Sequence, residues 1–310
     1  MQVLKADSWK GKLPLFLALS RTPHALIDIA TPALAALLWL GEFPPAWVIA
    51  VGLVAALGGY ISVYALNDIA DYYVDIKRLK IGSAPNASGD LDDALIRHPL
   101  ARGLLTLREA VLWAGSWGVL AFLGAMLLNP VCAVIFLAAA GLEAIYCMLL
   151  TVTCLRSAIN GVVKTAGATA AVFAVESNPS LFFLMFLFLW IFFWEIGGQN
   201  VPHDWVDMEE DRALDAKTIP LKLGPRKAAW LVAFVLVLST IFGMLSGVVS
   251  GSSLGGVYWA GFVVSSLFLL FLPAMALFRT LDGRCASALF NRASYYPVAL
   301  LVSWLLEWII

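Results

Sequence analysis

The residues of this chain best suited to chemistry are carboxylates, and they fall in two groups. The first is Asn67-Asp68-Ile-Ala-Asp71-Tyr-Tyr-Val-Asp75. The second is Asp204-Trp-Val-Asp207-Met-Glu-Glu-Asp211, with Asn200 one turn before it and Asp215 one turn after it. Both share the spacing D-x-x-D-x-x-x-D. Residues three and four apart lie on one face of a helix, so each group predicts a stripe of acids. Two such stripes facing each other would raise one another's pKa values unless a cation lay between them. Hard divalent ions prefer oxygen ligands, and Mg²⁺ commonly bridges one or two carboxylates to the phosphates of a substrate.

Basic residues complete the pattern. Lys217 and Lys222 follow the second group, while Arg97 and Arg102 lie downstream of the first. Arg21, Arg156 and the intramembrane Lys164 are further candidates. Carboxylates, Mg²⁺ and Lys/Arg at the mouth of an apolar bundle suit a diphosphate attached to a lipid tail. A topological or headgroup role competes for each basic residue taken singly.

The elements that must position these groups are membrane helices. The 310 residues are 61% hydrophobic and only 13% charged, about half the charge of a soluble domain. Mean hydropathy is +0.87. The fold class is all-α, an integral membrane bundle read as one domain over 1–310. Nine stretches are long and apolar enough to span: 22–40, 46–66, 108–128, 131–152, 157–176, 180–200, 227–248, 256–278 and 293–310. With nine spans, all but one of the 20 lysines and arginines fall at the N-terminus or in loops on its side. The exception is Lys164. This asymmetry predicts a cytoplasmic N-terminus, a C-terminus on the opposite side and, in a bacterial cell, the inner membrane. Both acidic groups open long cytoplasmic loops, and residues 67–108 and 201–226 are expected to cap the site. Four spans separate the groups, so the chain reads as two parallel four-helix repeats plus a ninth helix. Residues 82–90 read as a flexible segment.

The composition also excludes. A net charge of −1 argues against a strongly basic nucleic-acid binder. Cys132, Cys147, Cys154 and Cys285 show no C-x-x-C spacing and read as buried thiols without disulfides. The N-terminus lacks a secretory signal pattern. Membrane lipids are expected partners, with no obligatory protein partner evident.

The sequence Asn67-Asp-Ile-Ala-Asp71-Tyr-Tyr-Val-Asp75 resembles the N-D-x-x-D-x-x-x-D motif of the UbiA superfamily of membrane prenyltransferases. Asp204-x-x-Asp207-x-x-x-Asp211 with Ala216-Lys217-Thr218 is similar to that family's second motif. Arg97-His-Pro-Leu-Ala-Arg102-Gly103 and Ser20-Arg21-Thr-Pro-His24 are looser matches, each with a residue extra. The 82–90 region looks long for the family, and Asn200 and His203 stand where some members carry Tyr.

The resemblance implies transfer of a prenyl group from a prenyl diphosphate to a lipophilic or aromatic acceptor. It implies Mg²⁺ held by Asn67, Asp68, Asp71, Asp75, Asp204, Asp207 and Asp211, with Asp71, Asp207 and Lys217 central to catalysis. Arg102 or Arg156 would help neutralise the leaving group. Arg21, Lys164, Tyr146, Asn200 and Glu195 are further substrate-side candidates. Aromatic faces stabilise an allylic cation, and Tyr64, Tyr72, Tyr146, Trp194 and Trp205 are placed to offer them. Gly197, Gly198 and Pro202 predict a break at the end of the sixth span, opening a pocket. Glu195 reads as a hydrogen-bond anchor or a base for the acceptor. Glu143 and Lys164 are expected to pair, leaving Asp28 without an obvious partner. Two other readings stand beside transfer: a terpene cyclase using the same diphosphate site, and, more remotely, a transporter.

Overall fold

Inside hydrocarbon a helix satisfies its own backbone N–H and C=O groups, so long apolar runs become helices. The structure, a computed structural model, describes residues 9–81 and 95–310. The expected flexible segment at 82–90 lies outside the described residues. α1 (Trp9–Leu19), α2 (Thr22–Asp28) and α3 (Ala30–Leu40) lead into α4 (Ala46–Ala70) and α5 (Tyr72–Ile81). Then come α6 (Leu107–Leu128), α7 (Pro130–Met148), α8 (Arg156–Val175) and α9 (Leu181–Trp194). α9 continues through a π-helical turn, Glu195–Asn200, into α10 (Val201–Val206), α11 (Met208–Ala213) and α12 (Ile219–Leu223). α13 (Pro225–Val248) and α14 (Gly256–Ser265) follow, then a second π-turn (Ser266–Phe271), α15 (Leu272–Thr280), α16 (Gly283–Ser294) and α17 (Tyr296–Ile309).

Eight segments among the described residues are long and apolar enough to cross a membrane: 22–40, 46–70, 107–128, 130–148, 156–175, 181–206, 225–248 and 256–280. They match the first eight expected spans. The expected ninth is shorter. α17 has 14 residues, or ~21 Å at ~1.5 Å per residue, against a hydrocarbon thickness of about 30 Å. It packs on α14 and α3.

Local sequence sets the helix ends. Thr106 and Glu109 form a reciprocal capping box that starts α6. Asn129 accepts from the Val131 N–H at 2.9 Å, and Pro130 opens α7. α4 packs on α6, α7 on α8, α3 on α8 and α9 on α13. The aromatic run of α9 is split between two environments. Phe183, Leu187 and Trp190 are buried in the core, whereas Leu181 and Phe182 are exposed on the outer surface, where lipid would lie.

Both acidic motifs bend at their middle aspartate, where straight stripes were expected. Asp71 ends α4 with φ −84° and ψ 2°. Asp207 ends α10 with φ −90° and ψ 8°. Bends here direct the chain away from the span, so that α5 meets α11. The i→i−4 ladder nevertheless persists: Asp71 N–H donates to Asn67 O at 2.9 Å and Asp75 N–H to Asp71 O at 2.8 Å. In the second motif Asp207 N–H donates to His203 O at 3.3 Å and Asp211 N–H to Asp207 O at 2.9 Å. Spacing is kept while direction changes.

Candidate active site

The two motifs face each other at the end of the bundle, and the chain's own cations lie between them. Arg78 of α5 bridges them, with Nη2 3.0 Å from Asp211 Oδ1 and Nη1 3.6 Å from Asp75 Oδ1. Arg97 donates to both oxygens of Asp207, at 3.2 and 3.1 Å. The next residue, His98, reaches the other motif: its Nδ1 is 2.9 Å from Asp75 Oδ2 and 3.6 Å from Asp68 Oδ1. Its backbone is left-handed (φ 54°), a conformation that costs a non-glycine residue energy. Arg156 donates to Asp204 Oδ1 at 2.8 Å and lies 4.5 Å over the Tyr146 ring.

Burial and mutual repulsion set the titration of these groups. Burial first, then Asp75, raises the Asp71 carboxyl to about 6. Burial, with Asp204 and Asp207 nearby, raises Asp211 to about 7 against the pull of Arg78. Burial also opposes charge on Asp207, but His203, Arg97 and Arg78 outweigh it and lower its pKa. His98 is the converse case: burial disfavours its charge, yet Asp68 and Asp75 raise its pKa above the ordinary value.

The donor set fits a hard cation. Asp68 Oδ2, Asp75 Oδ1 and Asp204 Oδ2 are buried oxygens without a hydrogen-bond partner. Ligand atoms of Asp68, Asp75 and His98 lie within 4.8 Å of one another. Buried carboxylate oxygens that lack partners are costly unless a cation meets them.

Other expected site residues divide clearly. Asn67 donates to Glu143 Oε1 at 2.8 Å, and Asn200 donates to Tyr146 Oη at 3.1 Å. Arg21, Asn67, Tyr146, Asn200, Glu195 and Lys164 all line one cavity. Arg102 and Lys217 do not join the cluster: both are exposed, and neither forms an ion pair among the described residues. Arg78 and His98, which were not among the expected site residues, contact the aspartates instead. Arg78 was legible in principle, standing three residues after Asp75 and seven after Asp71 on one helix face. For His98 the sequence carried no signal beyond an extra residue in a loose match.

The expected Glu143–Lys164 pair is not formed. Lys164 Nζ lies 2.7 Å from Asp28 Oδ2, to which Tyr64 also donates. Asp28 ends α2 just before α3, and α3 packs against α8, which carries Lys164, so helix packing supplies a nearer carboxylate. Of the expected aromatics, Tyr64 and Tyr146 line the cavity, the Trp194 ring lies 5.7 Å from Lys164 Nζ, and Trp205 is buried in the core. The predicted break after the sixth span is the π-turn Glu195–Asn200. A Cβ on Gly197 would stand 2.6 Å from Val235 Cγ2, and one on Gly198 2.9 Å from Ala293 Cβ. These glycines let the turn press against α13 and α16.

The cavity holds about 400 Å³. On α4 its wall runs from Asn67 down to Val48, roughly 28 Å of helix at ~1.5 Å per residue. Away from the carboxylates it is lined by small and apolar side chains, including Ala33, Gly52, Ala56 and Ala170. The four cysteines are free thiols.

Comparison with known proteins agrees with this arrangement. The profile of the UbiA prenyltransferase family matches residues 29–295. A 4-hydroxybenzoate octaprenyltransferase of Aromatoleum aromaticum is 26% identical, covering 96% of each chain. Among solved structures, a UbiA homolog from Aeropyrum pernix K1 superposes with a TM-score of 0.73 at 19% identity, over 92% of this chain and 98% of that one. A UbiA homolog from Archaeoglobus fulgidus bound to DMAPP and Mg²⁺ gives 0.66 at 15% identity, over 93% and 99%.

Proposed function

The chain belongs to the UbiA prenyltransferase family, and from that premise we propose that it moves a prenyl group from a prenyl diphosphate to an aromatic or other lipophilic acceptor, with Mg²⁺, at the cytoplasmic face of the inner membrane. One observation carries the reading: two facing carboxylate groups, laced with arginines, follow directly on Asn67, Asn200 and His203, which line an apolar cavity that runs most of a bilayer's depth. The DMAPP, GPP and Mg²⁺ bound by the Archaeoglobus homologs, and the hydroxybenzoate named for the Aromatoleum relative, support the same chemistry.

Asn67, Asp68, Asp71, Asp75, Asp204, Asp207 and Asp211 would hold the ion. Bound there, Mg²⁺ would neutralise the diphosphate and make it a better leaving group. Arg78, Arg97 and Arg156 stand where negative charge develops as the allylic carbon–oxygen bond breaks and its electron pair departs on the diphosphate. Lys217 and Arg102, on the exposed rim, would guide the incoming diphosphate. Tyr64 and Tyr146 turn aromatic groups toward the cavity, where they would stabilise the allylic cation. The cation takes an electron pair from the acceptor, which gives up a proton. The cavity's apolar length would receive the prenyl tail and exclude water from the cation.

The test is an assay of purified protein with Mg²⁺, prenyl diphosphates of several lengths and a panel of acceptors. Pyrophosphate and a prenylated acceptor should form together, and chelation should stop both. A cyclic hydrocarbon formed without acceptor would instead assign the site to a cyclase. Ion flux in liposomes without pyrophosphate release would assign it to a transporter.

A further inference from the structure

We infer that the polar patch at membrane depth is the acceptor site, and that it selects an uncharged acceptor presenting a hydroxyl to Glu195. The inference rests on the prenyl-transfer reading above. Glu195 lies in the π-turn, is buried and lines the cavity. One of its oxygens is used within the protein: Oε1 accepts from Asn160 Nδ2 at 2.8 Å. The other, Oε2, has no hydrogen-bond partner. A buried carboxyl oxygen left without a donor is unfavourable, and native proteins seldom keep one without a reason. π-turns inside helices concentrate at functional sites, and an ionisable residue at membrane depth is costly to retain. A ligand donor would meet both conditions.

The charges around it decide the class of that ligand. Lys164 is the cation of this part of the wall, and Asp28 at 2.7 Å already neutralises it, with Tyr64 donating to the same carboxylate. Glu143, whose Oε1 accepts from Asn67, adds a second carboxyl to the wall. The remaining basic groups of the wall are Arg21, at the start of α2, His24 on α2, whose ring packs 5.3 Å from that of Phe290, and His203 on α10, 3.7 Å from Asp207. An acceptor carboxylate beside Glu195 would therefore add a third carboxyl to Glu195 and Glu143, while the Lys164 ammonium is already paired. A phenol or alcohol would donate to Glu195 Oε2 without bringing charge. Along the helix Glu195 is roughly 13 Å from Asp204 at ~1.5 Å per residue. That interval leaves room for an aromatic ring between the anchored hydroxyl and the carbon released from the diphosphate.

The deciding experiment compares hydroquinone with 4-hydroxybenzoate, which differ in one ring substituent. Binding is measured calorimetrically to protein in nanodiscs, and acceptor KM is measured beside donor KM. Wild type should bind hydroquinone at least tenfold more tightly. Glu195→Gln keeps the oxygen that accepts from Asn160 and replaces Oε2 by a donor. It should weaken hydroquinone about tenfold while leaving the KM for prenyl diphosphate within twofold. Asp28→Asn frees the Lys164 ammonium and should strengthen 4-hydroxybenzoate binding severalfold, a gain that misfolding cannot produce. Equal or reversed wild-type preference would overturn the inference. So would an unchanged preference in both variants. Failure of the wider reading looks different: the wild type would then release no pyrophosphate with any acceptor, whatever its binding preference.

Discussion

The two acidic motifs share a spacing and a bend but differ in what opposes their charge. In the second, each aspartate has an arginine: Arg156 on Asp204, Arg97 on Asp207 and Arg78 on Asp211. In the first, Arg78 comes only to 3.6 Å of Asp75, the close cation is the titratable His98, and Asp71 forms no ion pair among the described residues. One arm therefore carries permanent counter-charges, while the other is left short of them. A repeated sequence reproduces backbone geometry. It does not reproduce electrostatics, because counter-charges arrive from elsewhere in the chain.

The largest expected effect treats the arms as equals. Asp71→Ala and Asp207→Ala should each lower Mg²⁺-dependent turnover by about 10² to 10³, the scale of a lost transition-state contact, with helicity and monodispersity in detergent unchanged. Wild-type turnover in either variant would break the equivalence. Next comes stability in the arginine-held arm. Arg156 and Asp204 are both buried, so Arg156→Ala should cost about 3–5 kcal/mol by stranding a buried charge. Arg97 has a side chain 43% exposed, and Arg97→Ala should cost less than about 1 kcal/mol. Thermal unfolding in detergent reads both, and equal losses would erase the distinction between buried and rim pairs.

Titration tests how far the contrast reaches, because burial raises one carboxyl in each arm. Asp71 and Asp211 have pKa values of about 6 and about 7, above the ordinary 3.8. Between those limits the folded chain holds protons that the unfolded chain has released, so stability falls as pH rises through that window. His98, also raised, contributes stability that is lost as pH passes its own elevated pKa, a loss of the same sign. Asp207 is lowered, and its contribution is already complete above the ordinary Asp range. Metal-free protein should therefore melt at a higher temperature near pH 5.5 than near pH 8, with Mg²⁺ stabilising it more at the higher pH. A flat profile would show that neither Asp71 in the first arm nor Asp211 in the second holds a proton near neutral pH. The smallest effect is reserved for the rim. Lys217→Ala and Arg102→Ala should each change kcat/KM by less than about 1 kcal/mol in activation free energy, as exposed charges do.

Much of this was legible beforehand, and for definite reasons. Hydropathy located the spans because a bilayer demands about 20 apolar residues. The Asp spacing located both arms because i, i+3 and i, i+4 positions share a helix face. Pairings were less legible. Lys164 chose Asp28 over Glu143, and Asn67 took Glu143, since partner choice depends on which helices pack together and sequence periodicity does not specify that. The bends at Asp71 and Asp207 carry no glycine or proline to announce them. His98 acquires its place only when a loop folds over the first motif. The last segment reads as a ninth span from its apolar composition, and the sequence did not show that its helix begins only at Tyr296 and runs 14 residues.

The cavity wall has a consequence for how this enzyme can change. Eleven alanines and three glycines stand in it among larger apolar side chains, and a Cβ added at Gly52 would meet nothing within 4 Å. At a glycine, any replacement adds atoms. At an alanine, every replacement but glycine does. If the wall houses the prenyl tail, mutations at these small residues shorten the tail it accepts, and lengthening it falls to the larger ones, such as Leu53, Ile135 and Phe136.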